Sequence, residues 1–267
     1  MDTRPVGVFD SGIGGLTVVK EIMKIIPNED IVYFGDTARV PYGSKSKETI
    51  IKFARQDARF LIEKGVKAIV IACNTASAFS LETLKNELSI PIIGVIEPGA
   101  HAAVKSTVNG NIGIIGTEGT IGSGAYEKAI LKLRSDYRIS GYPCPLFVPL
   151  VEEGWAGSKV SYMVAEEYLK PIKKSDIDTL VMGCTHYPLL KNVVADILGE
   201  GVTLINPAEE TALELKKILE EKNLNSNQIK SCYNFYVSDN PEKFSRVGSN
   251  FLNEKIYNIQ KIDIEKY

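Results

Sequence analysis

Asp178 to Pro188 reads DTLVMGCTHYP. The apolar run Leu180 to Met182, closing on Gly183, has the pattern of a buried strand. Cys184, Thr185 and His186 follow at once, where that strand must end. Reactive groups placed there lie at the carboxyl edge of a sheet, where open α/β folds bind ligands. Lys67 to Ser77, KAIVIACNTAS, has the same layout: an apolar run, a small residue, a cysteine, then hydrogen-bonding side chains. Aligning Ala72 with Gly183 pairs Cys73 with Cys184, so two thiols hold equivalent places in two half-chains.

Outward from these two stretches the chain alternates strand and helix. Val6 to Asp10 is a short apolar strand ending in Asp10-Ser11-Gly12-Ile13-Gly14-Gly15, with a helical pattern after it that stops at Pro27. The GIGG spacing lacks both the G-x-G-x-x-G fingerprint and a P-loop lysine, and Asp10 would repel a phosphate but suit a cationic amine. Strand Ile31 to Gly35, the turn-rich loop DTARVPYGS, a helix over Lys47 to Lys64, strand Ala68 to Ala72, a helix through Leu88 and strand Pro91 to Ile96 follow. That order is βαβαβαβ, the alternation of a parallel sheet covered by helices. The pattern then restarts with strand Ile112 to Gly116, the turn Thr117 to Thr120 and a helix over Gly122 to Arg134. Pro145 to Val151 reads as an extended apolar piece leading to Glu152, a helix covers Lys159 to Leu169, and the strand to Cys184 comes next. Beyond Val202 to Ile205, the helix Ala208 to Lys222, strand Cys232 to Val237, helix Pro241 to Phe251 and strand Ile256 to Ile262 form a tail. The expected fold is α/β with two similar lobes, each a mostly parallel sheet flanked by helices. Residues 1–97 with 207–267 are expected to make the first lobe, to which the tail returns, and 98–206 the second.

Composition narrows the function. The 267 residues are 44% hydrophobic and 24% charged with a formal net charge of −2, which leaves no electrostatic footprint for nucleic acid or an anionic membrane. No apolar run approaches the ~20 residues of a membrane span, and the N-terminus MDTRPVGVFDSG has no signal-like apolar region. A cytoplasmic location is expected. Four cysteines without short paired spacings do not make a disulfide framework. Two histidines without C-x-x-C or H-E-x-x-H spacing argue against a metal site.

Two thiols facing each other across a cleft suit proton exchange at a carbon from opposite faces. One sulfur takes the proton as thiolate and the other returns one as thiol, and a thiol pKa of ~8.5 lies within tuning range of neutral pH. Asp10, Glu152 and His186 are the candidate partners that accept or shed charge. Asp10 also reads as a turn residue satisfying local N–H groups, and Glu152, beside Glu153, as a solvated charge. Ser11, Tyr42, Gly43, Asn74, Thr75, Thr185, Thr117 and Thr120 offer neutral donors able to hold carboxylates without neutralising them. Cys144 and Cys232 lack the polar cluster that follows the other two and read as structural, as does His101 among alanines.

FDSGIGGLTV at 9–18, GDTARVPYG at 35–43, ACNTAS at 72–77, GVIEPG at 94–99 and GCTHYPLL at 183–190 resemble the successive motifs of the bacterial glutamate racemases. The resemblance runs from Val6 to about Glu214. It implies cofactor-independent interconversion of L- and D-glutamate, supplying D-glutamate for peptidoglycan, with two α/β lobes related by a pseudo-twofold and the site between them. It implies that Cys73 removes the α-proton of the D isomer with help from Asp10, and Cys184 that of the L isomer with help from His186, Glu152 lying nearby. It further implies that Asn74, Thr75 and Thr185 hold the α-carboxylate and amine, that Ser11, Tyr42 and Gly43 meet the side-chain carboxylate, and that the protein is a homodimer. Asn206-Pro207-Ala208 departs from the small and acidic residues expected there, and no regulatory N-terminal extension is expected. The rival readings are a racemase of another acidic amino acid, chiefly aspartate, and a non-catalytic module binding an amino acid or small anion. No lysine sits in a motif that would suit a pyridoxal phosphate enzyme.

Overall fold

The computed structural model describes residues 2–267, which form two parallel sheets with helices on their faces. The first sheet opens with β1 (Val6–Asp10), α1 (Leu16–Ile25), β2 (Ile31–Gly35), α2 (Lys47–Glu63), β3 (Ala68–Ile71), α3 (Asn74–Glu87) and β4 (Ile92–Gly94). Helix α4 (Ile96–Ser106) leads into β5 (Asn111–Gly116), α5 (Glu118–Gly122), α6 (Ala125–Leu133), β6 (Arg138–Pro143) and α7 (Phe147–Glu152). Then come α8 (Lys159–Lys173), β7 (Thr179–Gly183), α9 (Lys191–Leu198) and β8 (Thr203–Ile205). The chain finishes with α10 (Pro207–Glu221), β9 (Tyr233–Val237), α11 (Pro241–Leu252) and β10 (Ile259–Lys261).

Strand order is β10-β9-β2-β1-β3-β4 in one sheet and β6-β5-β7-β8 in the other. The run 2-1-3-4 therefore recurs as 6-5-7-8, and every registered pair is parallel. Strands β1, β2, β3 and β7 are buried along their whole length, because helices cover both faces of each sheet and leave no room for polar alternation. Parallel pairing also gathers all the strand carboxyl ends on one edge. Phe9 registers with Ile71, which sets Asp10 beside the strand that delivers Cys73, and Gly116 registers with Gly183, which sets Thr117 beside Cys184. The tail places β9 against β2 and β10 outside β9, while α10 packs on both α1 and α4.

Several segments differ from the sequence reading. Pro145 to Val151 is not extended: Phe147, Leu150 and Val151 are buried at helical spacing and form α7, with Glu152 as its last residue. The helix read over Gly122 to Arg134 is α6, which begins only after Gly124 at φ +64, and the residues read as the turn Thr117 to Thr120 cap and open the short helix α5. Ile96 opens α4 rather than ending a strand, so Glu97, Pro98 and Gly99 lie in a helix. Strand β6, RISGYP, lacks an apolar run because it is an edge strand with no fully buried residue. Helix α8 continues past Leu169 to Lys173 with Pro171 inside it, and the last strand keeps only three of the residues read for it.

The glycine turn after β1 meets the strand end after β7 at van der Waals distance. Thr17 on α1 donates to the Thr185 carbonyl at 3.1 Å, and a Cβ on Gly14 would overlap the Thr185 hydroxyl and lie 2.6 Å from the His186 ring. Gly14→Ala should therefore cost about 1–3 kcal/mol of stability, the usual price of overpacking. Thermal unfolding of that variant beside Gly12→Ala, whose new Cβ meets only the Val40 side chain, checks it.

Candidate active site

The carboxyl edges of the two sheets meet around a narrow cleft whose free volume is about 20 Å³, room for about one water molecule. Ser11, Tyr42, Gly43, Cys73, Asn74 and Thr75 wall it from the first sheet's side. Thr117, Thr120, Cys184, Thr185 and His186 wall it from the second. Asp10 and Glu152 are not on the wall; each touches a wall residue from behind.

Cys73 is the N-cap of α3, its sulfur accepting from the Ala76 N–H at 3.4 Å. Burial, followed by the nearby Asp10 carboxylate, pushes the Cys73 thiol up to about 12, while hydrogen bonds from Ala76 N–H and the Ser11 hydroxyl act the other way. Cys73 is therefore a neutral thiol near neutral pH. Asp10 is fully buried and its carboxylate accepts from the Gly12 N–H at 3.0 Å and the Thr185 hydroxyl at 3.4 Å. Burial raises its pKa, partly offset by His186 and these hydrogen bonds. The turn-residue role and the proximity to Cys73 hold together, since one carboxylate does both.

Cys184 has the opposite surroundings. Its sulfur lies 3.8 Å from His186 Nδ1, and His186 Nε2 lies 3.3 Å from Glu152 Oε1. Burial alone would lower the His186 pKa, but Cys184 on one side and Glu152 on the other outweigh it and raise it to about 10. The imidazole is therefore a cation near neutral pH, set between the Cys184 sulfur and the Glu152 carboxylate. Glu152, whose side chain is 13% exposed, is held below the usual carboxylate range: burial opposes this, and His186 and Lys243 overcome it. Phe251 of α11 packs edge-on against the His186 ring with centroids 5.8 Å apart.

A triangle of hydroxyls from both sheets lines the same cavity as the two cysteines. Thr75 is 2.9 Å from Thr117 and 3.1 Å from Thr120, and Thr117 donates to Thr120 at 3.1 Å. Thr117 also caps α5, accepting from the Thr120 N–H. Asn74 is fixed by the Tyr126 hydroxyl, which donates to its Oδ1 at 2.7 Å. Tyr42 is fixed from beneath: its hydroxyl donates to Asp36 at 2.5 Å and reaches Asp57 at 3.1 Å, and Arg39 pairs with both carboxylates. Burial first, then Asp36, raises the Asp57 pKa well above the carboxylate range.

The supporting residues Tyr126, Asp57 and Lys243 carry no motif of their own, and sequence reasoning missed them. Asp36 and Arg39 lie inside GDTARVPYG, but nothing there marks them as partners of Tyr42. Among the described residues no three His, Cys, Asp or Glu side chains converge to hold a metal ion. Among them also, no helix is long and apolar enough to cross a membrane.

A family profile described as Asp/Glu/hydantoin racemase matches residues 13–215. The chain belongs to that family. A glutamate racemase of Geobacter metallireducens is 48% identical over 266 residues, covering 99% of this chain and 98% of its own. Among solved structures, a glutamate racemase of Bacillus anthracis superposes with a TM-score of 0.96 at 41% identity, over 98% of each chain. One from Francisella tularensis, solved in complex with D-glutamate, gives 0.94 at 44% identity over the whole of both chains. The resemblance read from the motifs is thus a family relationship, and it extends through the tail, where the motifs are silent.

The raised pKa of His186 has a sign that stability measurements read. The folded value of about 10 exceeds the ordinary 6.5, so the charged ring adds stability that is complete below about pH 6.5 and gone once pH has risen through 10. The melting temperature of His186→Gln should lie well below the parent's at pH 6, and the gap should narrow steadily through pH 8 to pH 10.

Proposed function

We propose that this protein is a glutamate racemase that needs no cofactor and works by proton transfer between two thiols. The observation that carries the reading is the unequal pair of cysteines on one cavity: Cys73 is a neutral thiol beside a carboxylate, and Cys184 has a cationic imidazole beside it. With L-glutamate bound, the Cys184 thiolate takes the Cα proton. The C–H electron pair stays on the substrate and spreads into the α-carboxylate, and the Cys73 S–H gives its proton to the opposite face. D-glutamate leaves Cys73 as thiolate and Cys184 as thiol, the state in which the reverse reaction begins. His186 stabilises charge on Cys184, and Asp10 serves the Cys73 side.

Substrate holding is assigned to the neutral donors. Asn74, Thr75 and Thr185 meet the α-carboxylate and amine, and Ser11, Tyr42 and Gly43 the side-chain carboxylate, with Thr117 and Thr120 completing the wall. The hydroxyl triangle supports this, because three hydroxyls that satisfy one another in the free protein can all turn to a carboxylate. The lobes are taken as residues 1–97 with 207–267, and 98–206, with the cavity between them. The setting is cytoplasmic synthesis of D-glutamate for peptidoglycan by a homodimer.

Circular dichroism of L-glutamate with purified protein and no added cofactor tests the chemistry. The signal should decay to zero with the parent protein. Cys73→Ser and Cys184→Ser should each slow the decay by about 10²-fold or more, the range for losing a positioned acid or base. A flat trace from folded parent protein overturns the reading, and L-aspartate run in parallel tests the rival substrate.

A further inference from the structure

The tail brings one helix to the site, where Lys243 and Phe251 meet Glu152 and His186, the residues behind Cys184. Helix α11 brings Lys243 to the far side of Glu152: Lys243 Nζ lies 3.4 Å from Glu152 Oε2, while Glu152 Oε1 faces His186 Nε2 at 3.3 Å and His186 Nδ1 faces Cys184 at 3.8 Å. Two turns further along α11, Phe251 closes edge-on over the same imidazole. The four polar groups come from three separate segments, and only together do they make an unbroken line from solvent to the Cys184 sulfur.

We propose that Lys243 is a positioning residue for the Cys184 side of the reaction, fixing the Glu152 carboxylate so that it holds the His186 imidazolium against the sulfur. This rests on the two-thiol reading above and adds to it the control of one half of the site by the tail. Without Lys243 one oxygen of Glu152 has no partner, and the carboxylate is free to swing toward the open cleft it shares with Thr37, Asp239 and Asn240. With Lys243, both oxygens are engaged, one by a cation at the surface and one by the imidazole within.

The neighbouring charges define the test. His186 is faced by Cys184, Glu152 and, through space, Asp10. Lys243 is faced by Glu152 and, at 3.9 Å, by Glu153, whose side chain is 67% exposed and so screened by solvent. Asp239 lines the same cleft but is paired with Lys261 at 2.5 Å. Lys243 and His186 both favour the charged form of Glu152, so removing the lysine makes Glu152 protonate at higher pH and release His186 there.

Glutamate racemisation by the parent, Lys243→Met, Lys243→Arg and Glu153→Gln proteins, each at pH 5 and pH 8, decides the matter. Lys243→Met should lose about tenfold in kcat/KM at pH 5 and about threefold or less at pH 8. Lys243→Arg, which keeps the cation, should recover most of the loss, and Glu153→Gln should follow the parent at both pH values. A Lys243→Met protein that matches the parent at both, or that loses equally at both without recovery in Lys243→Arg, overturns the inference while the two-thiol reading stands. A parent protein inert toward glutamate removes both.

Discussion

The architecture depends on what happens to polar groups at the end of a buried parallel strand. Strands such as β3 and β7 are apolar throughout, yet their chains must turn at the carboxyl edge, and the backbone and side chains there need hydrogen-bond partners out of reach of bulk water. Each sheet finds many of them on the other. Thr17 reaches the Thr185 carbonyl, Thr185 reaches Asp10, Tyr126 reaches Asn74, and Thr75 meets Thr117 and Thr120. The cavity is the small volume left where these mutual contacts stop, and its polar lining is the direct result of their convergence.

Within this repeated frame the two halves have been given opposite electrostatics. The same strand order puts a cysteine after β3 and after β7, but the first is accompanied by a carboxylate and the second by an imidazole with a carboxylate behind it. The asymmetry lies in side chains, Asp10 against His186 and Glu152, and needs no departure from the backbone repeat.

How much of this was legible in the sequence follows from how local each feature is. Both cysteines and their flanking Asn74, Thr75, Thr185 and His186 could be found because a buried strand and the residues at its end are contiguous in sequence. Asp10, the last residue of β1, was found for the same reason, whereas Tyr42 was found within the loop motif GDTARVPYG. Strand β6 and helix α7 were misread or missed because their burial is decided by neighbours: an exposed edge strand has no apolar run, and the six residues of α7 give barely more than one turn of periodicity. Glu152 was found as a carboxylate without its partners, since Lys243 sits on a distant helix and only folding sets it 3.4 Å away. The Arg39, Asp36 and Asp57 cluster beneath Tyr42 was hidden likewise, because Asp57 lies on α2 and looks like any helix-surface charge until the fold buries it.

The pairing of β9 with β2 has a consequence for how the protein is made. During synthesis β2 emerges early, pairs with β1, and keeps its other edge bare until Tyr233–Val237 leaves the ribosome, after the whole of the second sheet. At about 5–20 residues per second that interval is roughly 10 to 40 seconds, in which an apolar strand stands open to any neighbouring chain. Nascent chains truncated before β9 are therefore a hazard to one another, and slow translation of the segment ahead of β9 prolongs the exposure. The strand that covers the open edge of β2 is thus also its protection against aggregation.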